Sequence, residues 1–492
     1  MSTDAADSVR IAEALVRLAP ALARFNEFEG PDPTISRRPE WQALLEAPLP
    51  RHGDGLDEVV RQLEEVLIPS GLRLGAPGFC GWVTGQPTTS GVAALLAQTV
   101  AGPQRFFVHP FNELERVGLS WLKALLGVAP DASGVFTSGG SAANLIGLGA
   151  ARQRAFERKG VDPAADGVSV GRWRTYASGE AHHVVARSAA VLGLGRNHVA
   201  AVGCDEAQRI DLDALARMLD ADERAGVAPV ALVATAGTVN SGAIDPLPEL
   251  VEIAEERDLW LHVDGAYGLF GRLDARLASL FEGLERADSV VVDPHKWMAT
   301  PVGCGAVFVR DGALLERAFT LEPAAYLEGA VGEEHAPMGS PWDSFAGNHH
   351  HLSIEQSAPP RGVQVWAILR EIGAEGLRSR VSRHLELARR LADHARRDRH
   401  LELLAEPTLS ICCFRYRADT RTETELDALN HALVQRLHAE TRFVPSTTRV
   451  GGRLAIRPCY INPRTSEADV DELVQTVLAL GDDLTQAARS ER

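Results

Sequence analysis

Residues 288–310 read DSVVVDPHKWMATPVGCGAVFVR. Apolar runs rich in β-branched residues flank Asp293-Pro294-His295-Lys296-Trp297. Runs of this kind read as strands covered on both faces. Pro294, with no N–H to donate, ends the first ladder just before Lys296. A Lys fixed at the end of a buried strand becomes a nucleophile when partial desolvation lowers its pKa. Taken alone, it reads as a solvated strand-end residue, so its neighbours decide.

Thirty-two residues upstream, LWLHVDGAYG is a second buried strand, ending in Asp264. A carboxylate there is costly unless a cation or a hydrogen-bond donor meets it. Asp264 also suits a cap for the turn at Gly265. Further upstream, GVFTSGGSAANLIGLGAAR passes from a short strand through Ser138-Gly139-Gly140-Ser141 into a helix. Small residues at such a junction let backbone N–H groups close on an anion, although Gly-Gly-Ser is also an ordinary N-cap. Together, an imine-forming Lys, a carboxylate for a pyridine nitrogen and a phosphate cradle are what pyridoxal phosphate requires.

The surrounding pattern predicts an α/β fold. APVALVATA, LWLHVDGAY, DSVVVDPHK and CGAVFVRD alternate with helical stretches such as PLPELVEIAEERD, which argues for a mostly parallel sheet between helical layers. We expect an N-terminal helical arm over 1–85 that packs on the body or on a second subunit. A large domain over 86–370 and a smaller α+β domain over 371–492 should follow. The connector carrying Pro31, Pro33, Pro39, Pro48 and Pro50 should be non-helical. Residues 327–353 read as a long loop, and loops of that length are usually functional.

Composition narrows the function. Fifty Lys+Arg against sixty-six Asp+Glu give a net charge of −16, which disfavours nucleic-acid binding. The apolar stretches are too short to span a bilayer, and MSTDAADSVRIAEALVRLAP lacks the basic segment and apolar run of a signal peptide. A soluble cytoplasmic protein is expected. Six Cys without a CxxC pair suggest neither a disulfide scaffold nor structural zinc. No metal is expected: adjacent side chains diverge, so His349-His350-His351 reads as a solvated or substrate-facing loop.

SGGSAANL, SGEAHHVVARSAAVLGLG, ATAGTVNSGAIDP, HVDGAYG and DPHKW occur in the order seen in pyridoxal-phosphate-dependent group II amino-acid decarboxylases. The chain resembles that family, whose best-known member is aromatic L-amino-acid decarboxylase, most clearly over residues 75–370. The resemblance implies the aspartate-aminotransferase-type architecture (fold type I), with a seven-stranded sheet in the large domain. It also implies a homodimer with active sites at the interface. Lys296 should hold the cofactor and Asp264 should pair with its ring nitrogen. His182, in GEAHH, should stack on the ring, although residue by residue it also suits a structural role at a strand–helix junction. Gly140 and Ser141 should bind phosphate, with His295 close by. Thr238 matches a Thr near the cofactor's 3′ oxygen and Ala266 the small residue beneath the ring. Ser357 sits where the second subunit adds a phosphate contact.

Tyr326, thirty residues beyond Lys296, matches the Tyr that reprotonates Cα after CO2 leaves. Relatives that form aldehydes often replace this Tyr or the stacking His. The presence of both favours plain decarboxylation to an amine, with the aldehyde synthase as the rival; a non-catalytic relative and a transaminase are disfavoured. Two departures stand out. Ala142 lies where many relatives have Glu, and Asp293 where many have Asn, an anion that needs His295 or an Arg as partner. Arg453 and Arg457 read as structural pairs rather than a substrate clamp. Phe79, Trp82, Phe106, Phe107 and Phe111 suit an aromatic substrate or a dimer core, whereas Arg105 and His109 keep an acidic one open. A bulky aliphatic substrate is also open.

Overall fold

The computed structural model describes residues 7–25, 30–31, 38–102, 104, 110–168, 171–319, 352–355, 357–418 and 422–490. Among these residues twelve strands form two sheets. The larger holds β2 (Ser133–Thr137), β3 (Trp173–Ser178), β4 (Val199–Val202), β5 (Ala228–Thr235), β6 (Leu261–Asp264), β7 (Ser289–Val292) and β8 (Gly305–Val309). Its order is β2-β8-β7-β6-β5-β3-β4, and β8 runs antiparallel to both its neighbours while the other pairings are parallel. The expected seven-stranded, mostly parallel sheet is therefore present.

Period-two alternation explains why these runs are apolar throughout. Leu232, Ala234, Val290, Val292, Ala306 and Phe308 enter one core, while Ala231, Val233, Val291, Val307 and Val309 enter the other. Successive side chains point to opposite faces, and both faces are covered. The helix Gly140–Glu157 covers one face; its small residues (Ala143, Gly147, Ala150, Ala151) let it lie close to the sheet.

Five strands make the second sheet, ordered β1-β11-β12-β10-β9. They are β1 (Phe79–Cys80), β9 (Leu401–Ala405), β10 (Cys413–Tyr416), β11 (Val444–Val450) and β12 (Arg453–Arg457). The helices Glu423–Glu440 and Glu467–Ser490 pack on it, burying Cys412, Phe414, Leu433 and Val477. β1 joins this sheet from far away in sequence, pairing in parallel with β11 through Phe79 and Val444. The long helix Gly362–Arg397 passes from one sheet to the other and bends at Gly373, whose φ is +67°.

The proline-rich connector departs from expectation. Residues Arg38–Leu45 form a helix with Pro39 in its first turn, where the missing N–H has no acceptor to lose. Among the described residues, no helix is long and apolar enough to cross a membrane.

Strand register gathers the chemistry at one edge. Thr235, the last residue of β5, pairs with Asp264, the last of β6. Asp264 pairs in turn with Val291 of β7, and Thr137 of β2 pairs with Gly305 at the start of β8. Open α/β sheets bind ligands outside the carboxyl ends of their strands.

Candidate active site

At that edge lies a cavity of about 290 Å3, lined by Ser138, Gly139, Gly140, Ser141, Ala142, Asn144, His182, Val184, Thr235, Gly237, Val239, Asp264, Ala266, Tyr267, Asp293, His295, Lys296 and Val302. Residues from five separate motifs thus share one wall. Seven of the ten positions singled out from the sequence are among them: Lys296, Asp264, His182, Gly140, Ser141, Ala266 and His295.

Lys296 stands in a tight turn after β7. Its N–H bonds the Asp293 carbonyl at 3.0 Å, and its Nζ lies 3.1 Å from Asp293 Oδ2. Asp293 is buried, and its Oδ1 has no hydrogen-bond partner among the described residues. The anion at 293 is thus answered chiefly by Lys296; His295 Nε2 stands farther off at 3.8 Å. His295 donates from Nδ1 to the Cys304 carbonyl at 2.8 Å, which aims its other nitrogen back toward Asp293. Trp297 is wholly buried, stacks on Tyr267 at 5.4 Å and donates to His384 Nδ1 at 2.8 Å. These contacts anchor the turn from below.

Asp264 is buried at the end of β6, and its Oδ1 accepts from the Ala266 N–H at 3.2 Å. Both the expected turn cap and a place in the cavity wall are therefore present. His182 lies between β3 and the helix Val184–Val191. Its Nδ1 accepts from the Val184 N–H at 3.2 Å, which leaves the proton on Nε2 in the neutral ring. Burial, then His183 and more weakly Lys296, push its pKa down, while Asp264 pulls it up.

Gly139 precedes the helix Gly140–Glu157 with φ +136° and ψ 179°, a conformation essentially reserved for glycine. As the N-cap, Gly139 has no side chain with which to cap this helix. The amides of Gly140, Ser141 and Ala142 have no intrahelical acceptor, and all three residues line the cavity. A Cβ on Gly140 would come within 2.6 Å of Asp293 Oδ2, so the close approach of helix and strand end requires glycine.

Of the other three positions, Thr238 and Ser357 do not line this chain's cavity, Ser357 being expected at that of a second copy. Thr238 is fully buried and does not line the cavity; its hydroxyl accepts from the Ala243 N–H at 3.1 Å and bonds Ser241 within its own turn. Ser357 is exposed and outside the cavity wall. Tyr326 lies outside the described residues, as do Arg105, Phe106, Phe107, His109 and His349-His350-His351. Conversely, the sequence did not single out Thr235 or Asn144, both in the wall. The one signal for Thr235 was its position as the last residue of APVALVAT.

Arg453 and Arg457 are structural, as expected. Arg453 donates to Glu402. Arg457 is buried and donates to the carbonyls of Asn240, Trp82 and Val239 and to Ser446 Oγ.

A family model described as the pyridoxal-dependent decarboxylase conserved domain matches residues 39–417. An aromatic-L-amino-acid decarboxylase of Bacillus atrophaeus is 28% identical over 441 residues, covering 89% of this chain and 88% of the relative. An L-2,4-diaminobutyrate decarboxylase of Rhizobium meliloti (strain 1021) is 30% identical over 434 residues, covering 87% and 83%. Among solved structures, the glutamate decarboxylase domain of a diaminobutyrate-pyruvate transaminase and L-2,4-diaminobutyrate decarboxylase from Vibrio parahaemolyticus superposes with a TM-score of 0.85 at 25% identity, covering 98% of each chain. Matched along most of its length, the chain belongs to the pyridoxal-dependent decarboxylase family: it is a carboxy-lyase that depends on pyridoxal phosphate and has the fold type I architecture.

Proposed function

We propose that this enzyme removes CO2 from an aromatic L-amino acid and releases the amine. The observation that carries the reading is one cavity holding an amine (Lys296), a buried carboxylate (Asp264), an imidazole (His182) and an uncapped helix N-terminus. That donor set fits pyridoxal phosphate. Lys296 offers the amine for its aldehyde, and Asp264 an anion for its ring nitrogen. His182 and Ala266 offer surfaces for the ring, and the amides from Gly140 to Ala142, with His295 near, suit a phosphate. When bound, the group supplies a protonated ring that withdraws the electron pair left as CO2 departs.

The chain's own residues set the rest. The donors of Arg457 are committed to three carbonyls and a hydroxyl. That leaves Arg457 engaged with the protein itself rather than with the substrate carboxylate, which must leave. His182, with its pKa lowered by burial, is a neutral surface at physiological pH. Proton delivery to Cα falls to Tyr326 on the strength of the resemblance, and this assignment favours amine over aldehyde.

The aromatic substrate class rests on the kind of relative matched and on Trp82. This residue is exposed, with its ring 6.0 Å from Phe79. Its carbonyl shares the Arg457 guanidinium with that of Val239 in the cavity wall. A homodimer belongs to the same proposal. It would cover the exposed apolar residues Val16, Leu22, Leu96 and Val100 of the helices Asp7–Phe25 and Thr89–Ala101, and bring Ser357 to the site of a second copy. A cytoplasmic location completes it.

The test is a panel of proteinogenic amino acids plus L-2,4-diaminobutyrate, incubated with purified holoenzyme while CO2, amine and peroxide are followed. Amine and CO2 from an aromatic amino acid, without peroxide, is the expected result. Turnover of diaminobutyrate or an acidic amino acid alone would overturn the substrate class, and aldehyde with peroxide would overturn the amine product.

A further inference from the structure

Beneath the cavity, a line of buried side chains crosses three elements. Trp260 Nε1 donates to Ser289 Oγ at 2.8 Å. Ser289 Oγ lies 2.7 Å from His262 Nδ1, and His262 Nε2 lies 2.9 Å from Asn144 Oδ1. Asn144 Nδ2 donates to the Gly140 carbonyl at 2.8 Å. Trp260, His262, Ser289 and Asn144 are all buried.

Both ends of this line are chemically irreversible. An indole N–H only donates, and a carbonyl oxygen only accepts. The Gly140 carbonyl therefore requires the Asn144 NH2, which turns Asn144 Oδ1 toward His262. That oxygen requires a proton on His262 Nε2, so in the neutral ring Nδ1 accepts from the Ser289 hydroxyl. Burial pushes the His262 pKa down to about 4, so the ring is neutral at physiological pH even with Asp264 nearby pulling the other way.

The peptide unit carries the consequence to the cavity. A trans peptide is planar, with its N–H pointing opposite to its C=O. Holding the Gly140 carbonyl toward Asn144 therefore fixes the direction of the Ser141 N–H, and both residues line the cavity. Space for the imidazole is reserved on the same helix: a Cβ on Gly147 would come within 2.8 Å of His262 Cε1. Asn144 and Gly147, three apart, share that helix face.

We propose that His262, as the neutral Nε2–H tautomer, is a positioning residue that locks Asn144 and through it aims the Ser141 amide of the phosphate-binding helix end. The inference rests on the reading of that helix end as the phosphate cradle. It assigns no contact between His262 and the cofactor.

The test compares affinity of the apoenzyme for pyridoxal 5′-phosphate and for pyridoxal, which lacks the phosphate. The unaltered protein should prefer the phosphate ester strongly; equal affinity would overturn the cradle itself, and this inference with it. Asn144→Ala and His262→Leu should reduce that preference about tenfold, the scale of one lost hydrogen bond to a charged group, while pyridoxal affinity changes less than about twofold on the same scale. His262→Gln should restore most of the preference, because its amide can accept from Ser289 and donate to Asn144. Should His262→Leu not fold, Asn144→Ala carries the comparison. An unchanged preference in Asn144→Ala, or equal weakening for both ligands, would overturn the positioning role while leaving the cradle intact. A loss in His262→Gln as large as in His262→Leu would overturn the tautomer assignment.

Discussion

Lys296 Nζ stands 3.1 Å from Asp293 Oδ2, and the carboxylate of that pair is almost wholly buried. Its second oxygen has no hydrogen-bond partner among the described residues, so the ammonium group is its main counterpart there. Removing Asp293 takes away the buried charge itself and leaves the Lys296 ammonium, about 20% exposed at the cavity, without its counter-ion. Asp293→Ala should therefore destabilise the apoenzyme by about 1 kcal/mol or more, read from urea midpoints. Asp293→Asn, which keeps shape and an acceptor for Lys296, should cost clearly less. Equal midpoints for the unaltered protein and Asp293→Ala would contradict the pairing.

Gly140 is a tight point between the helix Gly140–Glu157 and the strand ends. A Cβ there would lie 2.6 Å from Asp293 Oδ2 and 3.3 Å from Ala266 Cβ. Gly140→Ala should cost about 1–3 kcal/mol as overpacking and weaken pyridoxal phosphate binding, measured by calorimetry. Full affinity in a protein of unchanged stability would mean that the close approach is not needed.

His384 is wholly buried and accepts from Trp297 Nε1. Burial, reinforced by Arg383 and Arg380, lowers its pKa from 6.5 to about 3. Between those values the unfolded chain binds a proton that the folded chain refuses, so stability falls as pH drops below 6.5. The slope is on the order of 1.4 kcal/mol per pH unit. Above 6.5 the contribution is complete. His262 acts in the same sense, and Asp245, raised by burial to about 6, opposes them below that value. Comparing His384→Gln with the unaltered protein cancels those two groups. The stability advantage of the unaltered protein should shrink from pH 7 to pH 5; a constant difference would contradict a neutral buried His384.

Tyr326→Phe should slow amine formation by about a hundred- to ten-thousandfold, the range of a general acid, and shift product toward aldehyde with peroxide release. Quantifying both products after complete conversion checks this. Unchanged amine output would remove the proton-delivery role.

Much of the fold was legible because apolar strands covered on both faces leave a strong local signal. SVVV and LHVD needed nothing beyond their own composition and the polar residue at their end. The site was legible for the same reason: Lys296 and Asp264 follow or end such strands. What escaped depends on long-range pairing. Phe79–Cys80 is too short to announce itself and becomes a strand only against Val444 and Pro445. Pro39 looked like a helix breaker until its place in a first turn was visible. The line from Trp260 to Gly140 joins three segments whose residues are individually ordinary. Thr238 carried a motif match, and the structure adds that its hydroxyl serves the turn that ends at Ala243, a contact that only the local geometry reveals.

The most direct test of the account is where the cofactor attaches. Holoenzyme reduced with borohydride, digested and mapped by mass spectrometry should carry a pyridoxyl group on Lys296. The Lys296→Ala variant should carry none and should lose at least about a hundredfold in turnover. A pyridoxyl group on another lysine, or full turnover by Lys296→Ala, would contradict the assignment of this cavity as the catalytic site.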